Sequence, residues 1–332
     1  MPILVKQTVM LLLIAAVVVL SSNACANSSS RIEVGKSMQP HNLGTSKSRD
    51  LRRPWNAVQN WTYWLDNPDL KRISATKFEL VVIDYSADGS AKKAFTSEQI
   101  DTLRRTLCQR RIVSYLSIGQ AESYRWYWQQ GWKEGTPTWL DMPDPDWEQN
   151  YWVHYWDPAW QRIIYRYLDA IIAAGFDGVY LDRIDAYQES YAAGHEEDMV
   201  QFVAAIAHYA RSHSPLGEDF GIIVQNAEEL AVHHADYVHL VTGIGREEVY
   251  IQATNIPTSP QERANAERYL DLFHQNSRGK LVLTVDYANH ADLVRIAYER
   301  AQTKGYIPYV TGVDLDRLQI NPGYEPTRHS VP

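Results

Sequence analysis

From residue 55 onward, short runs of apolar residues recur between longer segments whose apolar positions fall three and four apart. The runs are Trp61–Leu65 (WTYWL), Leu80–Tyr85 (LVVIDY), Ile112–Gly119 (IVSYLSIG) and Gly178–Asp182 (GVYLD). They continue with Gly221–Gln225 (GIIVQ), Tyr237–Thr242 (YVHLVT), Leu281–Asp286 (LVLTVD) and Tyr306–Val310 (YIPYV). A strand with one wet face alternates apolar and polar residues. Near-continuous runs predict strands covered on both faces, as in a parallel sheet.

The intervening segments carry helix signals. Thr96 with Gln99 has the spacing of a capping box, followed by Ile100, Leu103 and Leu107 on one face. Asp157-Pro158 supplies a cap and a first-turn proline; Trp160, Ile163, Ile164, Tyr167, Leu168, Ile171 and Ile172 then form a stripe that ends at Gly175. Ala264–Phe273 and Asp292–Gln302 repeat the pattern. Eight strands alternating with helices predict a single-domain α/β (β/α)8 TIM barrel over residues 55–320, with a C-terminal tail at 321–332. Periodicity alone leaves a doubly wound open sheet as the alternative.

The N-terminus reads differently. Val9–Leu20 is apolar throughout, too short to span a bilayer and the right length for a signal-peptide core. Ala24-Cys25-Ala26 then offers a cleavage site, so residues 1–26 are expected to be a signal peptide and the mature protein to be extracytoplasmic. Lipidation of Cys25 is the rival outcome and the one expected route to a membrane. Residues 27–54 are polar, with six Lys/Arg against two acids, and read as a tether. The chain has two cysteines, Cys25 and Cys108; losing or lipidating the first leaves no intramolecular disulfide. A formal charge of −8 argues against a nucleic-acid partner.

In a TIM barrel the site lies at the carboxyl ends of the strands. Asp84, Asp182 and Asp286 stand where apolar runs end, while Glu122 and Glu228 follow soon after two others. Any one of these is ordinarily a helix cap or a solvated loop acid; the set converging on one rim is not. Eight of the eleven tryptophans fall within Tyr124–Tyr167, a loop-rich stretch after the third strand. Aromatic rings stack on sugar faces, and cleaving a glycosidic bond takes one carboxyl to protonate the leaving oxygen and another to attack or to activate water. Like charges held close raise one pKa, so a pair divides those roles.

The segments WTYWLDNPDL, FELVVIDYSADG, YLSIGQAESYRWYW, NYWVHYWDPAWQ, AGFDGVYLDRIDAY and QNAEEL together resemble glycoside hydrolase family 114, the endo-α-1,4-polygalactosaminidase group. The resemblance runs from about Trp55 to Asp316. It implies a barrel that makes endo-cleavages in α-1,4-linked galactosamine or N-acetylgalactosamine polymers; a polysaccharide partner, no cofactor, a retaining mechanism and a monomeric state are expected. Carried over by motif, Asp182 is implied as nucleophile and Glu228 as acid/base. Asp84, Tyr85, Glu122, Tyr124 and Asp286 are implied as sugar contacts; Trp156, Asp185, Tyr187 and Tyr287 are expected beside them, with Asp185 alternatively orienting Tyr187 or capping the next element. Two departures stand out: Gln120 replaces the glutamate of the family's SIGEAE, and Thr242 precedes Gly243-Ile244-Gly245 where an acid is usual.

Other motifs read more simply. His233, His234, Asp236 and His239 belong to a helix end running into the sixth strand, so no metal site is expected. The glycines at Gly135 and Gly243 lack strand-then-helix context, and neither Ser86 nor Ser117 sits in a G-x-S-x-G turn. A binding-only barrel for an amino-sugar matrix is the alternative to a hydrolase.

Overall fold

The computed structural model describes residues 52–106, 109–275 and 279–327. The expected signal peptide, nearly all of the tether and both cysteines lie outside the described residues.

Eight parallel strands form one sheet: β1 (Trp61–Trp64), β2 (Leu80–Ile83), β3 (Arg111–Ser117), β4 (Gly178–Asp182), β5 (Gly221–Gln225), β6 (Gly243–Glu247), β7 (Leu281–Tyr287) and β8 (Ile307–Thr311). They pair in sequence order from β1 to β8. The ends of the sheet meet through side chains: Trp61 Nε1 donates to Ile307 O at 2.9 Å, and Thr62 Oγ1 to Tyr309 OH at 3.0 Å. The chain is a (β/α)8 barrel. Its interior is filled by Trp61, Tyr63, Tyr180 and Tyr309, whose ring centroids lie 5.2 to 6.2 Å apart, so the barrel is a packed core with a solid floor.

The outer layer is α1 (Leu70–Ser74), α2 (Ser97–Arg105), α3 (Pro158–Ala173), α4 (Glu196–His213), α5 (Leu230–His233), α6 (Tyr237–Leu240), α7 (Pro260–His274) and α8 (Ala291–Thr303). The Thr96 and Gln99 capping box opens α2, and Asp157 caps α3 through Ala159 N at 2.7 Å. The stripe of α3 is buried at Trp160, Ile164, Tyr167, Leu168 and Ile171. At Gly175 the backbone turns left-handed with φ of 83°.

The run Tyr237–Thr242 is not the sixth strand. Tyr237–Leu240 is the short helix α6, and β6 begins after it, at Gly243. Two glycines disguise β6, and each is required by a close approach. A Cβ on Gly245 would come within 1.8 Å of Tyr180 OH, and one on Gly243 within 2.6 Å of Leu281 Cβ.

The loop from β3 to α3 folds into a three-stranded antiparallel sheet of Gln120–Glu122, Leu140–Pro143 and Asn150–Val153. Most of the clustered tryptophans pack there. Trp139, Trp152 and Trp160 are buried, and Trp128, Trp132, Trp139 and Trp160 touch in a chain of rings with centroids 5.0 to 5.3 Å apart. At the opposite end of the barrel, buried Asp177 takes Arg52 and Arg104 as partners, and buried Arg53 pairs with Glu79 at 2.7 Å. The residues after 320 also pack: Asn321 is buried and donates to Val310 O at 2.8 Å, and Tyr324 stacks on Tyr298.

Candidate active site

Side chains at i and i+2 on a strand share a face, so Tyr180 and Asp182 both point into the barrel, as do Gly245 and Glu247. Register sets Leu181 level with Val224, and Val224 level with Ile244. Glu247 therefore stands two residues nearer the mouth than Gly245, the residue level with Asp182. Both carboxylates line a cavity of about 480 Å³ at the carboxyl ends of the strands. The tyrosine-rich barrel interior closes it below, with Tyr63 itself in the lining.

Each carboxylate is gripped. Tyr115 donates its O–H to Asp182 Oδ2 at 2.6 Å. Glu247 Oε2 accepts from Gln225 Nε2 at 2.6 Å and Asn226 Nδ2 at 3.2 Å, while Tyr287 OH bonds Oε1. Gln225 is in turn fixed by Tyr63 OH at 3.1 Å. Burial pushes the Asp182 carboxyl up from its ordinary value, and the Glu247 charge adds to that rise; Arg183 and the Tyr115 hydroxyl act in the opposite direction. Asp185 lines the same cavity and is pushed up to about 7, by burial first and then by Asp182.

The backbone just beyond these strands is strained. Arg183, Asn226, Ala227 and Glu248 adopt positive φ of 61°, 60°, 54° and 60°. These non-glycine residues directly follow β4, β5 and β6, and such conformations cluster where side chains must be aimed. Gly119 makes the first of them possible, since a Cβ there would meet Arg183 O at 2.3 Å.

One wall is built on Arg125, which is buried between two acids. It bonds Asp84 and grips Glu122 through Nε at 2.7 Å and Nη2 at 3.2 Å. Tyr124 OH bonds the same Glu122, and its ring lies 4.9 Å from the guanidinium. Asp84 is pushed up by burial, against the pull of Arg125. Nine carboxylates and two guanidinium groups line the cavity. Both cations are committed to acids, Arg125 to Asp84 and Glu122, and Arg183 to Asp144 at 3.0 Å.

Of the residues singled out in the sequence, Asp182, Asp84, Glu122, Tyr124, Asp185 and Tyr287 line this cavity; Glu228, Tyr85, Trp156, Tyr187 and Asp286 do not. Glu228 accepts from Arg246 Nε at 2.9 Å, and Arg246 also donates to Glu247 O at 2.5 Å. Arg246 thus links Glu228 to the end of β6. Asp286 is fully buried and accepts from Tyr250 N at 2.7 Å and Ile251 N at 2.8 Å, pinning the loop after β6. Tyr187 bonds Glu229, Trp156 stacks on His195 at 3.5 Å, and Tyr85 packs edge-on against Tyr167. Gln120 is buried beneath the rim, donating to Asp144 at 2.5 Å. Of the clustered tryptophans, Trp147 is the one that lines the cavity, and it is half exposed.

Sequence reasoning gave no role to Glu247, because the strand that carries it was placed six residues too early. The available signal was Arg246-Glu247 following two glycines. His233 and His234 pair with Glu196 at 3.0 and 2.9 Å. Among the described residues no group of three His, Cys, Asp or Glu is arranged to hold a metal ion.

The family model described as glycoside-hydrolase family GH114 matches residues 44–325. An uncharacterized protein of Deinococcus radiodurans is 43% identical over 271 residues, covering 80% of this chain and 84% of the relative. The glycoside hydrolase domain of PelA from Pseudomonas aeruginosa superposes with a TM-score of 0.60 at 15% identity, over 79% of this chain and 97% of that domain. Aspergillus fumigatus Ega3, solved in complex with galactosamine, superposes with a TM-score of 0.59 at 18% identity, over 78% of this chain and 93% of that one. At such identities these two structures bear on the fold.

Proposed function

Because the chain belongs to glycoside hydrolase family GH114, we propose that it hydrolyses an amino-sugar polysaccharide by retaining double displacement, with Asp182 as nucleophile and Glu247 as acid/base. The observation that carries this reading is that these two carboxylates face one cavity from β4 and β6.

The roles follow from position. Asp182 sits deeper, and Tyr115 together with Arg183 favours its anion, the form that attacks the anomeric carbon. Glu247 stands nearer the mouth, toward the leaving sugar and the incoming water, held by Gln225, Asn226 and Tyr287. In the first step Asp182 forms the glycosyl–enzyme bond as Glu247 delivers a proton to the departing oxygen. In the second, Glu247 takes a proton from water, which attacks the anomeric carbon and frees Asp182. Trp147 and Tyr124, both exposed at the rim, offer rings for flanking sugars.

The acidic lining supports a substrate carrying amino groups over an acidic polymer. The galactosamine in the Ega3 complex and the polygalactosaminidase resemblance of the motifs support α-1,4-linked galactosamine or its N-acetylated form. The apolar run Val9–Leu20 supports an exported enzyme.

Reducing-end release from defined galactosamine polymers tests the reading. Wild type generates new ends, Asp182→Asn and Glu247→Gln lose at least about 1,000-fold in kcat, and Glu228→Gln loses far less. Wild-type protein that binds such polymers and releases no ends is a binding barrel, and the hydrolase reading fails.

A further inference from the structure

The insert between β3 and α3 reaches the end of β4 through one buried acid. Asp144 directly follows the insert strand Leu140–Pro143 and is 7% exposed. Its Oδ1 accepts from Asp146 N at 2.9 Å and its own N donates to Asn150 O at 2.8 Å, so the insert's backbone fixes the carboxylate. Its Oδ2 takes two side-chain donors, Gln120 Nε2 at 2.5 Å and Arg183 Nη2 at 3.0 Å. Gln120 is pinned in turn, because its Oε1 accepts from Asn150 Nδ2 at 3.2 Å. A glutamate in place of Gln120 would set a second carboxylate against Asp144 and compete for the same guanidinium; the amide donates instead.

Arg183 comes straight after Asp182 and lines the cavity, which Asp144 and Gln120 do not. Its backbone is left-handed, with φ of 61°, and its guanidinium carbon lies 5.2 Å from the Trp152 ring centroid. The guanidinium acts on Asp182 and Asp185 electrostatically, yet among the described residues its one ion pair is with Asp144. A long cationic side chain this near two carboxylates would close onto them unless held elsewhere.

We propose that Asp144 is a positioning residue: from the insert it holds the Arg183 guanidinium off Asp182, which keeps the nucleophile charged and its attacking oxygen free of a contact cation. This rests on the glycosidase reading above and adds to it a part of the chain outside the cavity that governs the same nucleophile.

The groups facing Asp182 are Arg183 and Asp185 just beyond β4, Tyr180 on that strand, Tyr115 from β3, Tyr63 from β1 and Glu247 from β6. Those facing the guanidinium are Asp182, Asp185, Tyr115 and Asp144. Burial pushes the Asp182 carboxyl up, and Arg183 is foremost among the groups that pull it down. Neutralising Asp144 removes a negative charge and releases the guanidinium toward Asp182. Both changes favour the Asp182 anion, so its titration moves to lower pH.

The test compares wild type with Asp144→Asn, and with Asp144→Ser as a second variant. Each change is repeated in an Arg183→Gln background, after thermal melts establish that every protein is folded. Carbon NMR of the carboxyl groups follows the titration of Asp182, its resonance identified by its loss in Asp182→Asn. The expected midpoint is lower by about one pH unit in both single variants, and moves by less than about a third of that once Arg183 is gone. On a galactosamine polymer the acid limb of kcat/KM moves the same way, and kcat falls by about tenfold with KM little changed. A midpoint that stays put or rises in the single variants, the same shift with and without Arg183, or an undiminished kcat overturns the assignment. The NMR readout needs no turnover. If wild type releases no reducing ends, the hydrolase reading has failed, and the midpoints alone decide whether Asp144 holds Arg183 off Asp182.

Discussion

Replacing Arg125 with methionine keeps most of the side-chain volume and removes the one cation between Asp84 and Glu122. All three residues are buried, at 4%, 5% and 3% exposure, so water cannot take the guanidinium's place. Breaking a buried ion pair by deleting one partner costs about 3–5 kcal/mol, because the remaining charge is stranded. Two acids depend on this one cation, so the upper end applies at pH 8. The penalty is itself pH-dependent. Arg125 acts to lower the Asp84 pKa against burial, so its removal raises Asp84 further. A carboxyl whose folded pKa lies above its unfolded one stabilises fully below the unfolded value and loses that contribution as pH rises through the folded one. Arg125→Met should therefore be closest to wild type near pH 4 and fall away toward pH 8. Urea unfolding at several pH values measures this. A loss under about 1 kcal/mol at pH 8, or a loss that does not change with pH, refutes the role given to Arg125.

Three other changes probe the same framework. Tyr115→Phe removes a hydrogen bond that favours the Asp182 anion, so the acid limb of the pH–rate profile should move upward and kcat at its acid edge should fall by about tenfold; an unmoved limb counts against Asp182 as the ionised group. Gly245→Ala drives a methyl into Tyr180 OH and should cost about 1–3 kcal/mol of stability by urea unfolding, with kcat lost as Glu247 shifts; a neutral effect contradicts the packing reason for a glycine there. Asp286 is pushed up to about 7 by burial, so wild-type stability should decline between about pH 4 and 7, and Asp286→Asn should flatten that decline in thermal melts; an unchanged slope removes Asp286 as its source.

How much of this could be read from the sequence follows from where side-chain pattern and backbone demand agree. The barrel was legible because most strands are apolar runs separated by capped helices, and Asp182 was legible because it ends such a run. β6 was not. Its two glycines are dictated by Tyr180 from β4 and Leu281 from β7, residues distant in sequence, and they leave the strand without the β-branched pattern that marks the others. The apolar run just before it is a helix instead, with Tyr237 and Val238 buried. Short apolar runs do not by themselves separate the two states. That shift put Glu247 beyond the expected strand end, while Glu228 drew its role separately, from the QNAEEL motif after the fifth strand. The tryptophan-rich loop misled in a similar way. A buried ring and a sugar platform have the same composition, and burial in three dimensions sorted Trp139 and Trp160 from Trp147.

The pairing of Asp182 with Glu247 is tested most directly by azide rescue of alanine variants on an aryl glycoside of a galactosamine oligomer, with the anomeric configuration of the glycosyl azide read by NMR. Glu247→Ala should be reactivated and yield an azide of the substrate's configuration, and Asp182→Ala one of the opposite configuration. Rescue of Glu228→Ala, with Glu247→Ala working at the wild-type rate, would contradict the pairing outright.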